Sequence, residues 1–177
     1  PEYIPESWNN RSYAKTNYDG YVEQLRNYSI NYIDMRQYFQ QIKKKVAYPL
    51  FPKCGTHWSG YAMTLVADTL FSYIENKTGC KLLSYQSKPG YTTNSDFRFT
   101  DNDIGKGMNL LVDIPSWEVY FPEIVFNKPD SSTSRPHVLC IGDSFTQSFW
   151  GFYPLFDSVF GNQSQYWYYN RIISWPD

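Results

Sequence analysis

The chain has 177 residues, 16 Lys and Arg against 17 Asp and Glu, 42% hydrophobic and 19% charged residues, and three cysteines. These values exclude a disordered chain, a coiled coil and a disulfide scaffold, and the lack of a basic excess argues against a nucleic-acid binder. No stretch approaches the roughly 18 consecutive apolar residues of a membrane-spanning helix, and the length fits one domain with one core.

Residues 1–20 carry Pro1, Pro5 and Gly20 without an apolar period and read as an N-terminal arm or loop ahead of a domain over 21–177. Pro1 is not an initiator, so a processed chain is expected and a missing signal peptide says nothing about compartment. Residues 21–28 suit a short amphipathic helix, 29–35 a strand, and 36–45 a helix ending in Lys43, Lys44 and Lys45, where cations suit the dipole. Residues 46–51 read as a strand that Pro49 places at an edge or an end. The clearest element is a helix over 59–76, with Ser59 as N-cap, Tyr61, Ala62, Leu65, Val66, Thr69, Leu70, Tyr73 and Ile74 at helical spacing, and Gly79 past its end. Residues 80–86 suit a strand, 87–102 a loop or peripheral hairpin, 103–111 a short helix, and 121–127 an extended segment. The apolar run 137–142 predicts a buried central strand. A helix opens at 145 and is kinked or restarted by Pro154, and 164–170 is a last aromatic strand. Strands alternating with helices predict an α/β domain with a mostly parallel sheet.

The chemistry concentrates at Val138-Leu139-Cys140-Ile141-Gly142-Asp143-Ser144-Phe145-Thr146, a strand, a tight turn and a helix start. Gly142 permits the turn, Asp143 braces it, and Ser144 sits at a helix N-terminus, where free amides favour developing negative charge. Thr146 occupies the last glycine position of a G-x-S-x-G elbow, so this is a different serine turn; Ser144 as a simple N-cap is the plainer alternative. A nucleophilic serine needs a base, and the chain has two histidines. His137 begins the serine's own strand, about 20 Å away at the wrong end. His57 follows 46–51 and precedes the long helix, which puts it at the carboxyl edge of a parallel sheet, where Ser144 also lies. The Ser144 amide is one natural oxyanion donor. Asn170, at the end of the last strand, is a candidate second donor or an ordinary turn residue. Trp58, Phe145, Trp150 and Tyr169 could line a glycan groove or simply pack, as most of the 17 Tyr, 12 Phe and 6 Trp must.

Lys53-Cys54-Gly55-Thr56-His57-Trp58-Ser59, followed far downstream by Gly142-Asp143-Ser144-Phe145, resembles the SGNH-hydrolase-like domain of the alginate O-acetyltransferase family. In that family a D-x-H-W-type motif comes first and the serine motif later, the reverse of ordinary SGNH enzymes, and the order holds here. The resemblance covers roughly residues 28–170. It implies a three-layer SGNH-type α/β fold and an extracytoplasmic O-acetyltransferase or acetyl esterase acting on polysaccharide. It also implies an acetyl donor delivered by a membrane-bound acyltransferase partner, and a Ser–His–Asp triad needing no cofactor. The family's aspartate falls two residues before the histidine, where this chain has Gly55. The orienting group is therefore a backbone carbonyl or another acid, with Asp34 at the end of segment 29–35 the nearest by topology; otherwise the site is slow or dead. A catalytically degraded carbohydrate-binding module is the alternative function, and Gly55 favours it.

Other signals lead nowhere definite. Cys54 and His57 have zinc-like spacing but no second pair of ligands. Asp101-Asn102-Asp103-Ile104-Gly105 fails as a calcium loop, because Val112 replaces the closing glutamate. A Cys54–Cys80 bridge cannot be read from sequence. Four N-x-[ST] sequons, at Asn10, Asn27, Asn76 and Asn162, matter only in a glycosylating host.

Overall fold

A computed structural model describes residues 14–112, 114–115, 117–168 and 171–173. The chain forms two compact units, Pro1–Val46 and Ala47–Asp177. The architecture is mixed α/β, with six helices and two small sheets among the described residues.

In the first unit, α1 (Asn17–Asn27) starts from a capping box made by Thr16 and Asp19. Helix α1 therefore spans the boundary at residue 20 expected between arm and domain. Helix α2 (Met35–Ile42) is capped by Asp34, whose carboxylate accepts the Gln37 amide at 2.9 Å. The strand expected over 29–35 is absent. Ser29 adopts a left-handed φ of 51°, and Asp34 turns the backbone into α2 instead. Its alternation meets no partner strand, and an aspartate aimed at a helix start outcompetes a ladder.

The second unit is organised around α3 (Gly60–Thr78), capped by Ser59 and closed by Gly79 at φ 73°. Its buried face includes Ala62, Met63, Val66, Ala67 and Phe71, so the stripe expected from the spacing is offset: Ala62 and Val66 are shared, whereas Tyr61, Leu65, Thr69, Leu70, Tyr73 and Ile74 are only half-buried at its flank. Strand β1 (Tyr85–Thr93) pairs antiparallel with β2 (Val119–Phe126); the loop or hairpin expected over 87–102 does not pair within itself, because its first residues continue β1 and their partner lies on the extended segment expected over 121–127. Helix α4 (Asp103–Gly107) lies between the two strands.

Strand β3 (Leu139–Gly142) runs into α5 (Ser144–Gly151), and α6 (Leu155–Val159) restarts at Pro154. The second sheet has the order β3-β4-β5: β4 (Gln165–Tyr168) is parallel to β3, and β5 (Arg171–Ile173) is antiparallel to β4. One parallel pair and two antiparallel pairs do not amount to a mostly parallel sheet. Segment 46–51 forms no strand, and of the strand expected over 80–86 only an isolated Lys81–Thr133 bridge and the start of β1 appear.

Strand β3 is also not buried on both faces. Leu139 and Ile141 are 53% and 63% exposed, because among the described residues β3 has β4 on one flank only and one face of the sheet has no layer over it. The opposite face carries Tyr166, fully buried, with the Trp150 ring 5.1 Å away. The core is strongly aromatic. Phe71 of α3 meets Phe149 of α5 and Phe160 beyond α6, and Phe121 of β2 meets Phe152. All three cysteines are free thiols, so the Cys54–Cys80 bridge is not formed.

Candidate active site

Ser144 is the first residue of α5, directly after β3. Asp143 caps the helix by accepting the Phe145 amide at 2.9 Å, and its own carbonyl accepts the Tyr166 hydroxyl at 2.7 Å. The turn is thus braced from both sides, and Asp143 acts as expected from the sequence. Gly142 is required by space: a Cβ there would fall 2.1 Å from Thr146 Oγ1.

His57 arrives from the loop that feeds α3. That loop is fixed by the Ser59 amide and hydroxyl, both donating to carbonyls of the preceding segment, Leu50 and Pro49. The two expected partners meet: His57 Nε2 lies 2.8 Å from Ser144 Oγ. The route differs from the one anticipated, since His57 follows an irregular segment and is set by the start of α3. His137 precedes β3, at the end away from the serine, with Gly161 packed against its ring.

The group that orients His57 is one the sequence does not single out. Thr56 Oγ1 lies 2.7 Å from His57 Nδ1 and donates to Asp103 Oδ2 at 2.5 Å, while the Thr56 amide donates to Asp103 Oδ1 at 2.9 Å. Counting protons fixes the tautomer. A hydroxyl has one proton, and that of Thr56 goes to a carboxylate that can only accept. Thr56 Oγ1 must therefore accept from Nδ1–H, which leaves the Nε2 lone pair facing the Ser144 hydroxyl. This is the arrangement a general base needs.

The charges agree. Burial works against the Asp103 charge, but the Thr56 hydroxyl and amide, the Ile104 amide and the field of His57 together hold its carboxyl below the ordinary range. Burial also lowers the His57 pKa, opposed by the fields of Asp103 and Asp143, so the ring is neutral at pH 7. His57 is 7% exposed, with Phe145 at 4.5 Å and Phe99 at 5.8 Å from its ring.

Gly55 has a steric explanation. A Cβ at this position would lie 2.5 Å from both Pro52 Cγ and the Thr100 carbonyl oxygen, and 2.9 Å from that of Asp101. No side chain fits at this position, two residues before the histidine. The same approach brings the 100–103 backbone against the histidine loop and so delivers Asp103 to Thr56.

Asp34 is engaged elsewhere. It caps α2 and accepts the Tyr18 hydroxyl within the first unit. Trp58 donates to Ser148 Oγ at 2.7 Å and stands edge-on to Phe145 at 5.0 Å, which fastens the histidine loop to α5. Trp150 donates to Asp157 at 3.0 Å and packs against Phe156 at 4.2 Å. Phe145 flanks the His57 ring and is half-buried. Tyr169 and Asn170 lie outside the described residues. At the helix start, the Phe145 and Thr146 amides are taken by Asp143, which leaves the Ser144 amide as the backbone donor nearest the nucleophile. Among the described residues, no group of three or more His, Cys, Asp or Glu side chains is placed to hold a metal ion.

Neither Thr56 nor Asp103 is marked as a site residue by its sequence context. An acid opening a predicted helix at 103 is visible in the sequence, but no spacing ties it to a histidine so far upstream. Compared with known protein families, curated proteins and solved structures, the chain matches none.

Proposed function

We propose that the protein is a serine-dependent O-acyl transferase or esterase, with Ser144 as nucleophile and His57 as general base and acid. The observation that carries this reading is the continuous chain of short contacts from Ser144 through His57 and Thr56 to Asp103. A serine that merely capped α5 would need none of it, and the cap is already supplied by Asp143.

The chemistry follows from the protons. Ser144 Oγ attacks the acyl carbonyl carbon as its proton passes to His57 Nε2. The imidazolium formed keeps its Nδ1–H on Thr56 Oγ1, within reach of the Asp103 field. The Ser144 amide, at the positive end of α5, faces the oxyanion of the tetrahedral intermediate. Collapse breaks the bond to the departing alkoxide, which takes the proton from Nε2. A second alcohol, or water, then gives its proton to Nε2 and attacks the acyl carbon, and the bond to Ser144 Oγ breaks as that oxygen takes the proton back from Nε2. Thr56 and Asp103 are positioning residues in this scheme.

The resemblance to the alginate O-acetyltransferase family directs the choice of substrate to acetyl esters of an extracytoplasmic polysaccharide, with an SGNH-type fold and a membrane-bound acyltransferase as donor partner. The degraded carbohydrate-binding module draws its support from Gly55, and the steric reason for that glycine weakens the case for it. A fluorophosphonate probe tests the proposal. Stoichiometric labelling of Ser144 that is lost in Ser144→Ala and reduced at least about 10³-fold in His57→Ala is expected. An unreactive Ser144 in the folded protein refutes it.

A further inference from the structure

Loop 94–102 joins β1 to the start of α4 and carries Phe99 at φ 47°. A bulky aromatic residue in the left-handed region is a true outlier, and such strain persists only where neighbours over-determine it. Here they do. The Asp101 amide donates to the Arg98 carbonyl at 3.0 Å, Asp101 Oδ2 accepts the Arg98 amide at 3.2 Å, and the Thr100 and Asp101 carbonyls press on Gly55. The Phe99 ring stands edge-on to Phe152 at 5.4 Å and covers Gly151, where a Cβ would come within 2.5 Å of it. Even so, Phe99 is 41% exposed, and its ring centre is 5.8 Å from that of His57. Core packing does not account for a strained backbone that holds an apolar ring half in solvent. Position beside the reacting pair does.

We propose that Phe99 is a specificity-determining residue whose exposed face receives a saturated ring, such as a pyranose, in the alcohol part of the ester attacked by Ser144. The proposal rests on Ser144 being the nucleophile. An aromatic face gains from the broad C–H surface of a saturated ring, and an open-chain alcohol offers too little area to match it. The fixed backbone means that the platform needs no ordering when substrate arrives.

The test compares cyclohexylmethyl acetate with 2-methylpropyl acetate. Both are esters of primary alcohols branched at the next carbon, so their leaving groups are alike and the ratio of their kcat/KM values reads the ring contact. The wild type is expected to favour the cyclic ester by about tenfold. In Phe99→Ala the ratio falls toward one, in Phe99→Leu it falls part of the way, and Phe99→Tyr restores it. Gly151→Ala, which pushes a methyl group into the Phe99 ring, lowers the ratio without touching Phe99 itself. A wild-type ratio in both Phe99→Ala and Gly151→Ala, with Ser144 still labelled by the fluorophosphonate, overturns the role of Phe99 alone. A wild type whose Ser144 is not labelled overturns the nucleophile first, and this proposal with it.

Discussion

Asparagine at position 103 should damage the site more than alanine, although it is closer to aspartate in shape. In the native site Asp103 Oδ1 accepts the Thr56 amide and Oδ2 the Thr56 hydroxyl. A backbone N–H can only donate, so the asparagine of Asp103→Asn must turn its carbonyl oxygen to that amide and its NH₂ to the hydroxyl. The hydroxyl then accepts from the asparagine, and its own proton goes to His57 Nδ1. His57 is left protonated on Nε2, facing Ser144, with no lone pair for the serine proton. The equivalent tautomer trap in a serine-protease triad costs about 10⁴ in kcat. Asp103→Ala removes the carboxylate's field and its two hydrogen bonds to Thr56, but it leaves the Thr56 hydroxyl free to rotate and still accept from Nδ1–H. The two intervening hydrogen bonds, 2.7 and 2.5 Å long, put that carboxylate within about 5 Å of Nδ1. At an effective dielectric of about 20 this is worth about 3 kcal/mol, or about 10² in rate. The assay is the second-order rate of Ser144 acylation by p-nitrophenyl acetate, with thermal melting to confirm folding and ¹⁵N shifts of the His57 ring to report the tautomer. Equal rates in the two variants, or a wild-type His57 protonated on Nε2 at neutral pH, would show that Thr56 and Asp103 do not set the tautomer.

Placing an aspartate two residues before the histidine by Gly55→Asp should reduce both stability and Ser144 labelling. Its Cβ meets two backbone carbonyls and the Pro52 ring, an overpacking worth about 1–3 kcal/mol or more, seen as a lowered Tm. Acylation should fall as pH drops through a midpoint below 6.5, since burial depresses the His57 pKa; in Asp103→Ala the midpoint should move lower still, because the Asp103 field raises it. Thr56→Ser should retain the relay and most of the acylation rate, whereas Thr56→Val should cut the rate by an amount comparable to Asp103→Ala or more. Asp101 is fully buried, and desolvation lifts its carboxyl from 3.8 to about 7. The folded form holds this proton where the unfolded chain has lost it, so its contribution is complete below about pH 4 and is lost as pH rises to about 7, by no more than about 4 kcal/mol. Denaturant melts should show that slope in the wild type and a flatter one in Asp101→Asn.

Local features are legible along the chain: the long helix α3 with both its caps, the helix restart at Pro154, and the strand–turn–helix that presents Ser144. Apolar period, cap chemistry and backbone restriction act over a few residues, so they can be read along the chain. The sequence also singles out His57 as partner, because His137 is held at the wrong end of a rigid strand. Tertiary structure decides the rest. Segment 29–35 alternates like a strand and 46–51 reads as one, but neither forms a ladder, and β3 reads as central yet has a neighbour on one side only among the described residues. Strand character depends on what pairs and covers a segment, which composition does not encode. Asp103 reaches Thr56 because the backbone at residues 100–101 closes onto a glycine. That contact joins residues 47 positions apart, and it is made by space left empty at Gly55, which no motif records.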